Sequence, residues 1–185
     1  MKKILFSTIV MLFVVSIVSA QDVFKKDDVV FNIGIGLNNS LYYGSKYSNA
    51  ILPISFSGEI GIKDNLINGD NGSIGVGGYL GYTGAKWNDI LGYGYKYTSI
   101  IIGTRGAFHY EFAPKLDTYA GAMLGYDVRS SKWFGGGTSS GIASGSDFTF
   151  SLFLGARYWF NPNFGVYTEL GYGISNINIG LTFKL

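Results

Sequence analysis

Cysteine is absent from this chain, histidine occurs once, and proline three times in 185 residues. Without cysteine there can be no disulfide, no thiolate metal ligand and no lipid-carrying N-terminal cysteine. Charge is also scarce, at 14% of residues, with fourteen basic against twelve acidic side chains. Two of the basic ones, Lys2 and Lys3, belong to an N-terminal leader, so the remainder balances at twelve of each. No basic field therefore argues for a nucleic-acid partner. Long apolar runs are missing beyond the leader, whereas a helical membrane span needs about 20 apolar residues. If the chain crosses a membrane, it must cross as strands closed into a barrel, because only helices and closed barrels satisfy their backbone in lipid.

What is present points the same way. Lys2 and Lys3, the apolar stretch from Ile4 to Val15, and the small residues Val18-Ser19-Ala20 have the order of a secretory signal peptide. Residues 1–20 are expected to be removed, leaving 21–185 as one barrel domain. The chain holds 28 glycines, 14 tyrosines and 14 phenylalanines. Small residues inside and rings at the two interfaces suit a membrane barrel. The last nine residues, Ile177 to Leu185, alternate without a fault: odd positions are large and apolar, even positions are polar or glycine. A strand has a side-chain period of two, so this segment is amphipathic to its end.

The same alternation marks eight strands. They are expected at Val29–Leu37, Ile51–Ile62, Ser73–Tyr82, Tyr97–Tyr110, Thr118–Val128, Phe148–Phe160, Phe164–Gly173 and Ile177–Leu185. Pro53 falls near the start of the second, where a missing ladder donor is tolerable. The run Ile100-Ile101-Ile102 blurs the register of the fourth. Strands of about 9–11 residues suffice to cross the hydrocarbon when tilted. Short turns are expected at 63–72, 111–117 and 161–163, and longer loops at 38–50, 83–96 and 129–147. The short link 174–176 departs from that pattern. The fold class expected is all-β: an eight-stranded antiparallel up-and-down transmembrane β-barrel. A soluble β-sandwich could share the alternation, but the leader, the terminal strand and the aromatics near strand ends oppose it.

Parity assigns an interior. Glu59, Arg105, Arg157 and Glu169 all fall on the polar face of their strands. Two acids and two bases can cancel there as a hydrogen-bonded network, with Arg157 expected to hold Glu169 and Glu59. Tyr79, Tyr119, Phe153, Trp159 and Tyr167 share the inward face. An eight-stranded barrel is just wide enough for side chains to fill. The network thus reads as a plug; a narrow pore whose selectivity the charges set is the alternative.

Other candidates are weaker. His109 is expected inside, near the mouth that holds the termini, rather than on an outer catalytic face. Ser99 and Ser151 have no histidine within reach, so no enzyme is expected. The glycines between Gly75 and Gly81 lack the following helix that a phosphate loop needs. Asp89, Asp127 and Asp147 are rim carboxylates with no metal-specific spacing. No cofactor or metal is expected. Most aromatics near strand ends read as interfacial girdles. Tyr42, Tyr43, Tyr47, Trp87, Trp133 and Phe134 are expected on loops, where they could meet a ligand.

Three stretches carry a resemblance: Lys96 to Gly121, Gly155 to Gly165 and Glu169 to Gly173. They resemble the small outer-membrane β-barrel (porin-like) family of Gram-negative bacteria, similar in architecture to outer membrane protein X and the barrel domain of outer membrane protein A. The resemblance implies the cell outer membrane as location, with both termini periplasmic, and outer-membrane lipid as surroundings. It implies that the barrel-assembly machinery reads the terminal strand through Phe183 and Leu185, although phenylalanine commonly ends that signal. It carries no enzymatic motif. The expected role is structural or surface-interacting, with an extracellular ligand reached through loops 38–50, 83–96 and 129–147; a small porin is the alternative.

Overall fold

The computed structural model describes residues 23–42, 47–67, 72–88, 93–134 and 142–185. The leader expected at 1–20, and Tyr43 and Asp89, lie outside these residues. Alternating side chains draw the chain into eight strands: β1 (Val29–Gly36), β2 (Tyr47–Lys63), β3 (Gly72–Asn88), β4 (Gly94–Ala113), β5 (Leu116–Phe134), β6 (Ile142–Asn161), β7 (Phe164–Tyr172) and β8 (Ile177–Lys184). Each pairs antiparallel with its sequence neighbour, and β8 returns to β1 to close the barrel. Closure leaves no unpaired edge, which a bilayer would penalise.

The two faces of the ring differ as a membrane demands. Outward side chains are large, apolar and uncovered: Ile102 is 57% exposed, Leu152 60% and Leu154 63%. In a soluble sandwich these would be the core. Inward parity carries Asn32, Ser57, Glu59, Arg105, His109, Asp117, Arg157 and Thr182, all buried. The fold is a transmembrane β-barrel. The blurred run at 100–102 resolves by parity, with Ile101 buried and Ile100 and Ile102 outward.

Strand lengths depart from expectation on one side of the barrel. Strands β2 to β6 have 17, 17, 20, 19 and 20 residues, whereas β1, β7 and β8 have 8, 9 and 8. Pairing continues to Asn88↔Gly94, Gly94↔Phe134 and Lys132↔Ile142. Residues 47–50, 83–88, 94–96, 129–134 and 142–147, expected in loops, are therefore strand. They form a wall that rises past the apolar belt at the end opposite the termini. From Val128 to Phe134 the wall gains about 20 Å along the strand. Pro53 lies within β2 rather than at its start, between the register shifts near Ile51 and Ile54, where a ladder bond is already missing.

Candidate functional site

The bore is filled by long side chains from several strands, Glu59 from β2, Tyr79 from β3 and Arg105, Tyr119, Arg157 and Tyr167 from β4 to β7, set against inward glycines. A Cβ added at Gly155 would collide with the Tyr119 ring, and one at Gly34 with Tyr167. These glycines are the floor on which the rings lie.

The charges form two linked groups. Near the middle, Arg105 Nη2 donates to Glu169 Oε1 at 2.6 Å, and the Tyr119 hydroxyl donates to the same oxygen at 2.9 Å. The Arg105 guanidinium lies 4.0 Å from the Phe153 ring centroid. Nearer the termini, Arg157 Nη2 donates to Glu59 Oε2 at 2.6 Å and Nη1 to Asp117 Oδ2 at 2.9 Å. His109 sits between the same two carboxylates, Nε2 2.8 Å from Glu59 Oε1 and Nδ1 2.9 Å from Asp117 Oδ1. Tyr119 joins the groups, with Arg157 4.4 Å from its ring centroid.

The four expected charges are thus all inside, but their pairing differs from expectation. Arg157 takes Glu59 and Asp117, and Glu169 goes to Arg105. Sequence reasoning placed Asp117 in a turn and left His109 out of the network. Parity could have found Asp117: it continues the inward series Tyr119, Gly121, Met123, and it faces Arg157 in register. Its inclusion changes the balance. Glu59, Asp117 and Glu169 oppose only two arginines, and His109 supplies the third cation. Each of its nitrogens lies within hydrogen-bond distance of a carboxylate, the arrangement in which an imidazolium donates twice. The arrangement is self-neutralising: both ring nitrogens of His109 have carboxylate partners, and Ser99 is bonded at 2.8 Å to the Tyr42 hydroxyl.

Chain segments also cover part of both ends. At the terminal end, residues 23–28 fold under the barrel. Phe24 is buried and lies on His109, ring centroids 4.1 Å apart. Ser73 Oγ donates to the Phe24 carbonyl at 2.9 Å, and Lys184 Nζ binds the Val23 carbonyl at 3.1 Å and Asp28 at 3.0 Å. A polar vestibule of about 230 Å³, lined by Phe24, Ser73, His109 and Asp117, opens there. At the wall end, Ile174 turns inward onto Ile101, Met123 and Phe153, and Leu41 packs over them. Asn39 Nδ2 donates to Thr83 Oγ1 at 2.9 Å, and Ser40 Oγ donates to the Gly173 carbonyl. The short link 174–176 is thus part of a lid. Beside Arg105 a gap of only about 20 Å³ remains, room for about one water.

The wall holds the second cluster. On the face continuous with the interior, Tyr47, Trp87, Tyr95 and Trp133 stand opposite one another across β2 to β5. Tyr95 and Trp133 meet edge to face at 5.0 Å, and Tyr97 stacks on Tyr42 at 5.5 Å. Tyr47, Trp87, Trp133 and Phe134 are strand residues here, not loop residues. Below them Arg129 gathers the opposed Asp127 and Asp147 at 2.7 and 3.2 Å, so these rim carboxylates are tied together. Among the described residues no cluster could hold a metal ion.

No family model and no curated protein matches the chain. Among solved structures it is similar to Ail, the attachment invasion locus protein of Yersinia pestis, at 13% identity over 86% of this chain and 95% of that one, TM-score 0.46. It is similar to the N-terminal β-barrel domain of Pseudomonas aeruginosa OprF at 16% identity, covering 86% and 98%, TM-score 0.43. It is also similar to the outer membrane protein OprG of Pseudomonas aeruginosa at 10% identity, covering 88% and 97%, TM-score 0.40. The barrel assignment rests on the chain's own closed ring and outward apolar belt.

Proposed function

We propose that the chain is a closed, non-conducting barrel of the bacterial outer membrane, and that its role is interaction at the cell surface through the aromatic wall. Residues 1–20 direct export, both termini face the periplasm, and the assembly machinery reads β8 through Phe183 and Leu185. The observation that carries this reading is the filling of the bore at three levels: Phe24 below, the charge network in the middle, and Ile174 with Leu41 above. The wall supports the surface role. Its rings need no such height for the barrel to close, yet they are stacked and presented together, and aromatic rows offer large contact area at little entropic cost. The saturated hydrogen bonding of His109 supports a non-enzymatic role.

The polar vestibule favours a small porin as the second reading. Planar-bilayer conductance decides between them. The folded barrel is expected to be silent, with folding checked by heat-shifted gel mobility. Steady conductance whose ion selectivity changes in Arg105→Ala would replace the closed barrel with the porin.

A further inference from the structure

Among the described residues, the outward face of the wall carries cations with no acid paired to them. Lys86 pairs in register with Lys96, and Lys96 with Lys132, so three exposed lysines stand side by side across β3, β4 and β5. Like charges directly opposite on adjacent strands repel. Elsewhere at this end charge is paired, as Arg129 shows with Asp127 and Asp147. Among the described residues, none of the three lysine side chains has an ion-pair partner.

Two further rows separate the lysines from the belt. Four residues back along the strands stand Tyr82, Ile100 and Val128, also mutually paired, exposed and apolar. Between lie Gly84, Thr98 and Ser130, continued by Ser144 on β6. Moving outward, the surface runs apolar, then hydroxyl, then cationic. Four residues span about 13 Å along a strand, or about 10 Å of height at the tilt of such barrels. The head-group zone adds about 5–8 Å beyond the hydrocarbon on each side. The lysine row therefore stands where membrane head groups end.

The geometry points to a binding site for a membrane glycolipid whose sugar head group carries phosphates. The acyl chains lie against Tyr82, Ile100 and Val128, the sugar meets Thr98, Ser130 and Ser144, and the phosphates bridge Lys86, Lys96 and Lys132. A flexible ammonium is a mobile point charge suited to phosphate. A neutral sugar lipid would leave the lysine repulsion unanswered, and a plain phospholipid has no sugar for the hydroxyl row. The identity of the leaflet rests on the orientation proposed above, with the wall on the outer side.

Native mass spectrometry of the full barrel released from micelles tests the site, with bisphosphorylated lipid A as probe beside phosphatidylglycerol and inorganic phosphate. Wild type, and a control with Lys63→Gln and Lys115→Gln at the other end, are expected to retain lipid A in preference to both other probes. The triple variant Lys86→Gln, Lys96→Gln, Lys132→Gln is expected to lose about a hundredfold in affinity. Equal retention by the triple variant would overturn the site. Equal retention of phosphatidylglycerol would also overturn it, by reducing it to general attraction between a cationic surface and anionic lipid. A second readout guards against misfolding. In neutral phosphatidylcholine vesicles the triple variant should be at least as urea-resistant as wild type, because repulsion has been removed. Added lipid A should raise the resistance of wild type alone; an equal rise in both would count against the site. Orientation is read separately, by maleimide labelling of intact cells carrying Asn88→Cys, at an exposed position beyond the lysine row, since the native chain has no cysteine. Absence of label would overturn the orientation, while retention of lipid A in micelles would leave the lysine site standing.

Discussion

The barrel interior and the wall above it are built from the same strands, and they treat polar and aromatic groups in opposite ways. Inside, every charge answers another: Glu169 is held by Arg105, while Glu59 and Asp117 share Arg157 and His109. On the wall, three lysines stand together and a row of rings remains half-uncovered. Buried charge must be neutralised locally because the interior cannot screen it. Exposed charge can await a partner, because water solvates it at little cost. The interior is therefore balanced in charge as it stands, and the wall is the proposed surface for contact. Function is to be sought where the chain leaves its groups unanswered.

The largest effect is expected from breaking the balanced half. Arg157→Ala strips two buried carboxylates of their guanidinium at once. Loss of one partner from a buried pair costs about 3–5 kcal/mol, mainly because the charge left behind is unanswered. The expected outcome is a marked fall in the urea midpoint of the folded band. An unchanged midpoint would mean that water reaches these groups, and the closed-bore reading would fail with it.

The seal at the terminal end comes next. Phe24 lies outside the strand ladder, so Phe24→Ala removes packing without disturbing the sheet. Burial of such a ring is worth about 1.5–3 kcal/mol, and that loss should appear in the same denaturation assay. His109 should then exchange its ring protons with solvent faster, measurable by NMR. Overpacking gives a comparable loss from the opposite direction. Gly155→Val sets a branched side chain against Tyr119 and should cost about 1–3 kcal/mol. Adding Tyr119→Ala should restore part of it, though Glu169 would lose a donor.

Most of the barrel was legible because its physics is periodic. A bilayer outside and a polar bore inside impose opposite faces on every residue pair, so Phe148 to Phe160 and Ile177 to Leu185 show their strands directly. Interior membership of Glu59, Arg105, Arg157 and Glu169 followed from parity alone. Which carboxylate each arginine grips did not. That depends on the stagger between strands, and nothing in one strand's sequence fixes its offset from the next. The wall was missed for a different reason. Above the belt both faces are wet, so apolar alternation fades, and Thr83 to Lys96 resembles loop. A period of two survives there in another form, Tyr93, Tyr95 and Tyr97 alternating with Gly94 and Lys96, where rings rather than aliphatic side chains mark the face. Asp117 was lost at a boundary, one residue before the expected strand start, where turn and strand signals overlap.

The smallest effect on stability should come from the wall, and its smallness is informative. Tyr95 and Trp133 meet edge to face at 5.0 Å between ring centroids, and both lie beyond the apolar belt. An aromatic pair of this kind contributes about 0.5–1.5 kcal/mol beyond its area, and water already reaches both rings. Trp133→Ala with Tyr95→Ala should therefore lower the urea midpoint by much less than Arg157→Ala does. Binding of whole cells to a surface or glycan array is the contrasting readout. If the wall is the contact surface, the double variant loses adhesion while its barrel stays folded. A large loss of stability with adhesion unchanged would reverse the comparison: the rings would then belong to the fold, and the contact surface would lie elsewhere.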